Sequence, residues 1–444
     1  MASNEFNERC EQYALYLPSL QKAFAKGAYS STPKNRAMPK DVTLKQLDFL
    51  NPKNKLWHYK YALYSVGQFK VGEQQTDIVT NRNKDTIILG DSGGFQIGKG
   101  TLAGYTALKN VKSADEVCRI WSNDTTIKSW IVNWLETHSD YAMTLDMPLW
   151  AQLPSNKASP FHKCSTKQLI DLSIQNLEFI NVHKRGNTKW LNVIQGTNEK
   201  DTIEWWKAVN KYRFNGWALA GGVGWRGGAK AILEQICIMR EEGAFEKGLD
   251  WIHVLGVSQP KWAVILTAIQ NVLRLECNEN LRISYDSASP NIQSGKFQSV
   301  AVMPNYTNKA DTWGIRAVVC PNDKVYVGDK NQFQFPFASA LGDKMYLNHL
   351  NVTYDAYSNV HFDEISYHLL THHNTWIYVN AMLKANQLAF LDRHDAMHFV
   401  PIQLLDCLDA VRDVLTSDNW RKKLVKNEAL FESIKSLRDN DKLY

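Results

Sequence analysis

The sequence contains no apolar run of the roughly 18 residues that a membrane-crossing helix requires, so no membrane partner is expected. Its first residues, Met1-Ala2-Ser3-Asn4-Glu5, lack the basic start and apolar core of a secretory signal. Cysteine is sparse. The seven residues, at positions 10, 118, 164, 237, 277, 320 and 407, are odd in number and scattered. That distribution predicts free thiols in a reducing cytoplasm and argues against a disulfide frame. No Cys-x-Cys-x-x-Cys cluster occurs, and neither a metal nor another cofactor is expected. There is also no internal repeat, no low-complexity tract and no obvious interdomain linker, which excludes solenoids and flexibly tethered modules.

What is present is an ordinary globular composition of 44% hydrophobic and 22% charged residues. Fifteen tryptophans supply large packing surfaces. The net charge is +6, and residues 1–60 carry ten Lys/Arg against five Asp/Glu, so most of the excess lies in that segment. Prolines 18, 33, 39 and 52 make it read as short helices and loops. Residues 1–60 are therefore expected to form a basic N-terminal extension packed on or near the main domain, which takes in residues 61–444. The extension is either a solvated arm or a phosphate-contacting lobe built from Lys22, Lys26, Lys34, Arg36 and Lys40.

From residue 61 a rhythm begins. Short apolar segments end in Gly, Asp or Gln, and helical patterns follow them. The expected strands are Tyr61–Val66, Thr86–Leu89, Tyr141–Leu145, Trp190–Ile194, Trp217–Leu219, Trp251–Leu255 and Leu281–Tyr285. Alternation of this kind predicts an α/β fold with a parallel sheet. In the helix before the last strand, Ser258 is a potential cap and Pro260 fits the first turn. Trp262, Ile265, Leu266, Ile269, Val272 and Leu273 then recur at helical spacing. Asn198 or Thr197 is expected to cap a helix from Glu199 to Tyr212. Seven strands with paired helices predict a (β/α)₈ TIM-type barrel with one strand unplaced, and a doubly wound open sheet is the alternative. The barrel is preferred because polar groups recur at many strand exits, where barrels of this type gather their active sites. Residues 291–350 interrupt the rhythm as an insertion. Phe362 to Phe390 and the following segments predict a helical C-terminal region.

The strand exits carry the chemistry. Asp91-Ser92-Gly93-Gly94-Phe95-Gln96 follows the first long apolar run, and later exits supply Asp146, Gln195, Gly221 with Gly222, Leu255 before Gly256, and Asp286. A lone Asp at a strand end is commonly a turn former or helix cap, Ser92 reads equally as bonding local backbone, Leu255 is core by default, and Gln195 before Gly196 also reads as a turn device. Taken jointly, these residues fit a purine site. Asp146 can accept from the N1–H and exocyclic amine of guanine, Gln195 can donate to its carbonyl, and the glycine amides can meet a polar substituent. Phe95 and Leu255 can sandwich the ring. Asp91 and Asp286 are left for glycosidic-bond chemistry, which commonly uses paired carboxylates.

These motifs, in this order across residues 60–290, resemble the guanine transglycosylase superfamily of queuine and archaeosine tRNA-ribosyltransferases. Tyr346-Leu347-Asn348-His349-Leu350 and Leu369-Leu370-Thr371-His372-His373-Asn374 resemble the family's closing region. The resemblance implies a (β/α)₈ barrel and a double-displacement pentosyltransferase. It makes Asp286 the nucleophile, Asp91 the acid/base, Asp146 and Gln195 the guanine readers, Phe95 and Leu255 the stacking pair, and Ser92 part of the substrate site. It also makes Gly221 and Gly222 heterocycle contacts, although Ala220 stands where the family often has its first glycine. Two departures narrow the resemblance. The tRNA enzymes' zinc motif is absent, with only Cys320 and His349 in its neighbourhood, read here as a buried thiol and a packing or hydrogen-bonding residue. Their arginine-bearing segment after the nucleophile is replaced by Ser287-Ala288-Ser289-Pro290. Both point toward the DNA-modifying branch found in phages and bacterial modification islands, which exchanges guanine in DNA for a 7-deazaguanine such as 7-cyano-7-deazaguanine. A phage-encoded member would act in the bacterial host cytoplasm. The partners implied are guanine-containing DNA, with the target nucleotide extruded, and a free 7-deazaguanine base. Trp57, Tyr59 and Trp225 are expected to help grip DNA. The alternatives are a tRNA enzyme without zinc, a non-catalytic nucleic-acid-binding subunit and a nucleoside hydrolase.

Overall fold

The structure is a computed structural model that describes residues 2–436 apart from 75, 197, 221–227 and 329–331. Eight parallel strands close into a barrel in chain order. They are β1 (Leu15–Leu20), β2 (Tyr61–Ser65), β3 (Ile87–Asp91), β4 (Tyr141–Met143), β5 (Lys189–Ile194), β6 (Gly216–Leu219), β7 (Trp251–Val254) and β8 (Arg282–Ser287). Seven of them lie where the apolar runs predict. The eighth lies inside the basic segment, so residues 1–60 are not an extension added to a complete barrel. Pro18 conceals β1 in the sequence, because a residue without an N–H normally argues against an interior strand. The pairing shows how it is accommodated. Residues 15–18 pair with β8, and the pairing passes to β2 at Ser19 and Leu20, so Pro18 occupies the last position of its ladder.

Three of the five basic residues named for a phosphate-gripping lobe are committed within the protein, contrary to a lobe built from all five. Lys22 and Lys26 both bind Glu73, at 2.6 and 2.8 Å. Arg36 is buried and forks onto Asp363 at 2.7 and 2.9 Å, and also reaches the His349 carbonyl. Trp57 and Tyr59 are core residues stacked on each other at 5.9 Å, which removes them as surface grips for DNA. Trp225 lies outside the described residues.

Helices connect most of the strands on the outside: Thr125–His138, Thr166–His183, Glu199–Val209, Gly228–Glu241 and Pro260–Glu276. Asn198 caps Glu199–Val209 by accepting from the Asp201 N–H at 3.0 Å, and this helix ends before Tyr212. Thr197 lies outside the described residues. Pro260 takes the first turn of its helix, which makes Gln259 rather than Ser258 the N-cap residue, because the cap must directly precede the first helical position. No described helix is long and apolar enough to cross a membrane.

Residues 291–350 include an antiparallel pair, β9 (Ser299–Val302) with β10 (Arg316–Val319). The helix Glu364–Ala389 then packs on β1, on Pro260–Glu276 and on Ser289–Gly295, and is buried over most of its surface. Cys320 is a buried thiol whose titration burial pushes up to about 12. His349 accepts the Tyr346 N–H at 2.9 Å, a local structural bond.

Candidate active site

The C-terminal ends of the strands surround a cavity of about 540 Å³, in the range of small-molecule sites. Asp91, Phe95, Asp146, Gln195 and Leu255 all line it, although they come from four different strand exits. The sequence pattern therefore anticipated a real convergence. Ser92 lies beneath the lining. Its hydroxyl donates to the Thr144 carbonyl at 3.2 Å, tying the β3 exit to the β4 exit. Gly221 and Gly222 lie outside the described residues.

The Asp91 turn explains its own glycines. Gly93 has φ 77°, a left-handed conformation that L side chains adopt at a cost, and its N–H returns to Asp91 Oδ1 at 3.2 Å. At Gly94 a Cβ would come 3.2 Å from Asp146 Oδ1, so the missing side chain lets the two exits approach. Phe95 is 54% exposed, unusual for a phenylalanine, and offers its ring to the cavity. Trp150 tilts against it at 5.5 Å and the Lys99 ammonium sits 4.5 Å from its centroid.

Asp146 and Gln195 form one unit. Gln195 Nε2 donates to Asp146 Oδ2 at 2.5 Å, and both side chains are buried. Among the described residues Gln195 Oε1 has no partner despite its burial, and such a group is costly unless a ligand or water satisfies it. Burial pushes the Asp146 carboxyl up to about 7, opposed by the Gln195 bond and reinforced by the charge of Asp91. Burial likewise raises Asp91. The Ser65 hydroxyl and Gly93 N–H oppose that shift, Asp286 adds to it and His253 offsets it. Three acids and one histidine therefore share a single electrostatic neighbourhood.

Asp286 stands near the end of β8, beside this cavity. Its Oδ1 accepts the Gly256 N–H at 3.0 Å and lies 3.3 Å from His253 Nε2. Among the described residues, Oδ2 takes no hydrogen bond. One oxygen is anchored and the other is free to attack, which is the geometry a carboxylate nucleophile needs.

Sequence reasoning missed two lining groups, Lys99 and Trp150, and the buried His253 next to Asp286. Lys99 and Trp150 stand downstream of recognised exits, where nothing in the local pattern marks them. His253 sits within the β7 segment and reads as a strand residue. Its signal was period two: it shares a face with Leu255, which the purine reading had already pointed inward.

No protein-family model matches the chain, and no curated protein matches it. Among solved structures, the chain is similar to xylanase B from Clostridium stercorarium F9, at 9% identity over 64% of this chain and 88% of that one, with a TM-score of 0.35. It is also similar to a Bacteroidetes-affiliated GH5 cellulase linked with a polysaccharide utilization locus, at 11% identity over 90% and 96%, with a TM-score of 0.34. At that distance neither likeness bears on chemistry.

Proposed function

We propose that the protein is a DNA guanine transglycosylase that replaces guanine with a free 7-deazaguanine base. The observation that carries this reading is the cavity in which a buried Asp–Gln pair faces an exposed aromatic ring and the Asp91 carboxylate, with Asp286 beside it. Asp146 and Gln195 match the donor and acceptor edge of guanine, and the unpartnered Gln195 Oε1 marks a position where a donor is wanted. Phe95 and Leu255 supply the faces. The preference for DNA over tRNA comes from the sequence, which lacks the zinc motif and the arginines after Asp286.

In this mechanism Asp286 Oδ2 attacks C1′ of the extruded nucleotide. The C1′–N9 bond breaks and its electron pair leaves on guanine, which takes a proton from Asp91. The raised position of Asp91 keeps a protonated fraction for that step. The incoming 7-deazaguanine then gives its ring N–H proton to Asp91 and attacks C1′. The C1′–Oδ2 bond breaks and the carboxylate is restored. Gly256 N–H holds Oδ1 throughout, in the ester and in the released carboxylate.

The test is incubation with labelled 7-cyano-7-deazaguanine and either duplex DNA, single-stranded DNA or tRNA, followed by nucleoside mass spectrometry. Label in DNA supports the proposal. Label in tRNA alone overturns the choice of polymer. Base release without exchange replaces transfer with hydrolysis.

A further inference from the structure

A line of polar groups runs down the barrel interior beneath Asp286. Tyr141 on β4 and Trp251 on β7 meet with ring centroids 4.3 Å apart, although β5 and β6 separate their strands, so both rings point into the barrel. By the two-residue period of a strand, His253 and Leu255 share that inward face with Trp251. On β8, which pairs with β7 in register, Ser284 lies opposite His253 and shares a face with Asp286. Barrel interiors are usually filled with branched apolar side chains. Here Trp251 Nε1 donates to Ser284 Oγ at 2.7 Å, Ser284 Oγ lies 2.9 Å from His253 Nδ1, and His253 Nε2 lies 3.3 Å from Asp286 Oδ1. His253 and Ser284 are fully buried.

The arrangement decides the tautomer. An indole N–H can only donate, so it takes up a lone pair of the Ser284 hydroxyl. The single hydrogen of that hydroxyl then has His253 Nδ1 as its one acceptor among the described residues. Nδ1 is thereby the unprotonated nitrogen, and the ring hydrogen resides on Nε2, facing Asp286. Among the described residues His253 Nε2 has no aligned hydrogen bond, and the carboxylate oxygen it faces is Asp286 Oδ1, 3.3 Å away.

We propose that His253, oriented by Ser284 and Trp251, is a positioning residue for Asp286. It sets a neutral imidazole N–H against Oδ1 at 3.3 Å while Gly256 N–H bonds the same oxygen at 3.0 Å. Oδ2 is thus kept toward the cavity, and the carboxylate is stabilised when it departs from C1′ in the second displacement. No proton leaves His253 in either step. The chemical consequence rests on the transglycosylase reading, whereas the tautomer and its cause do not.

Two measurements separate these claims. The first is nitrogen-15 NMR of the imidazole in the intact protein at neutral pH, assigned by comparison with His253→Gln. A protonated Nε2 with an unprotonated Nδ1, lost or mixed in Ser284→Ala, is the expected result. An Nδ1–H tautomer or an imidazolium overturns the proposal whatever the protein catalyses. The second uses guanine-containing DNA and measures the rate at which the covalent glycosyl-enzyme forms and breaks down. His253→Phe is expected to slow both about 10- to 100-fold with base affinity unchanged, and His253→Gln, which restores an N–H donor, to recover most of the loss. A folded His253→Phe protein, with unaltered circular dichroism and melting temperature, that forms and releases the adduct at the normal rate overturns the proposal. If the unsubstituted protein forms no adduct with any polymer, the transglycosylase reading falls, and the NMR result alone decides the wiring of Asp286.

Discussion

The proposed recognition of a guanine edge by Asp146 would make base binding depend on pH in a definite direction. An ionised carboxylate accepts from both N1–H and the exocyclic amine, whereas the protonated acid presents a hydrogen to one of those donors. Burial places the midpoint of Asp146 at about 7 in the free protein. At pH 8 about nine-tenths of the molecules hold the competent anion, and at pH 5 about one in a hundred does. Affinity for guanine or 7-cyano-7-deazaguanine should therefore fall roughly 90-fold between those values, or about 2.7 kcal/mol. Titration calorimetry reads this directly, and at pH 6 it should also show about one proton released to the buffer per base bound. Asp146→Asn should bind weakly at every pH and release no proton. Stability moves with the same group. Unfolded aspartate loses its proton near 3.8 and the folded group near 7, so the folded state holds the extra proton between them. Stability contributed here is complete below about pH 4 and declines as pH rises to about 7, by at most about 4 kcal/mol. At pH 8 the Asn variant should accordingly be more stable than the parent. An affinity that is flat from pH 5 to 8, or strongest at pH 5, would refute the assignment of Asp146 as an anionic acceptor.

Asp286→Ala should abolish the covalent intermediate, lowering turnover by at least about 10³-fold while free-base affinity is retained; rapid-quench gels detect the adduct. Asp91→Asn should cost roughly 10²- to 10⁴-fold in exchange, checked by guanine release from labelled DNA. Phe95→Ala should weaken base binding by about 1–3 kcal/mol and leave the melting temperature unchanged, because the ring is already exposed. Arg36→Ala should destabilise the fold by about 3 kcal/mol in chemical denaturation, since it abandons the partly buried Asp363. The double change Lys22→Ala with Lys26→Ala should lower the salt slope of DNA binding by no more than about one counterion, because Glu73 already offsets one of the two charges.

The legible parts of this chain were those written locally. An apolar run of four or five residues ending in Asp, Gln or Gly marks a strand and its exit at once, and seven strands and five cavity-lining residues were readable on that basis. β1 was not, because its identity depends on a pairing partner some 270 residues away and its one proline argues locally for a loop. Charge was legible as a total but not as an assignment. The sequence counts Lys22, Lys26 and Arg36 as free cations, and only the folded chain brings Glu73 and Asp363 to meet them. His253 shows a third limit. Nothing distinguishes it from a satisfied core histidine until the register of β7 against β8 sets it over Ser284 and under Asp286.

The pairing of β1 with β8 has a consequence for how the protein is made. Leu17 lies opposite Asp286 in that pairing, so the seam where the barrel closes is also the wall beside Asp286. During synthesis the first strand emerges long before its partner exists, and the Asp286 carboxylate acquires its final surroundings only when the two meet. Completion of the candidate site and completion of the fold are thus one event. A chain cut back past Leu15 would lose the site along with the seam.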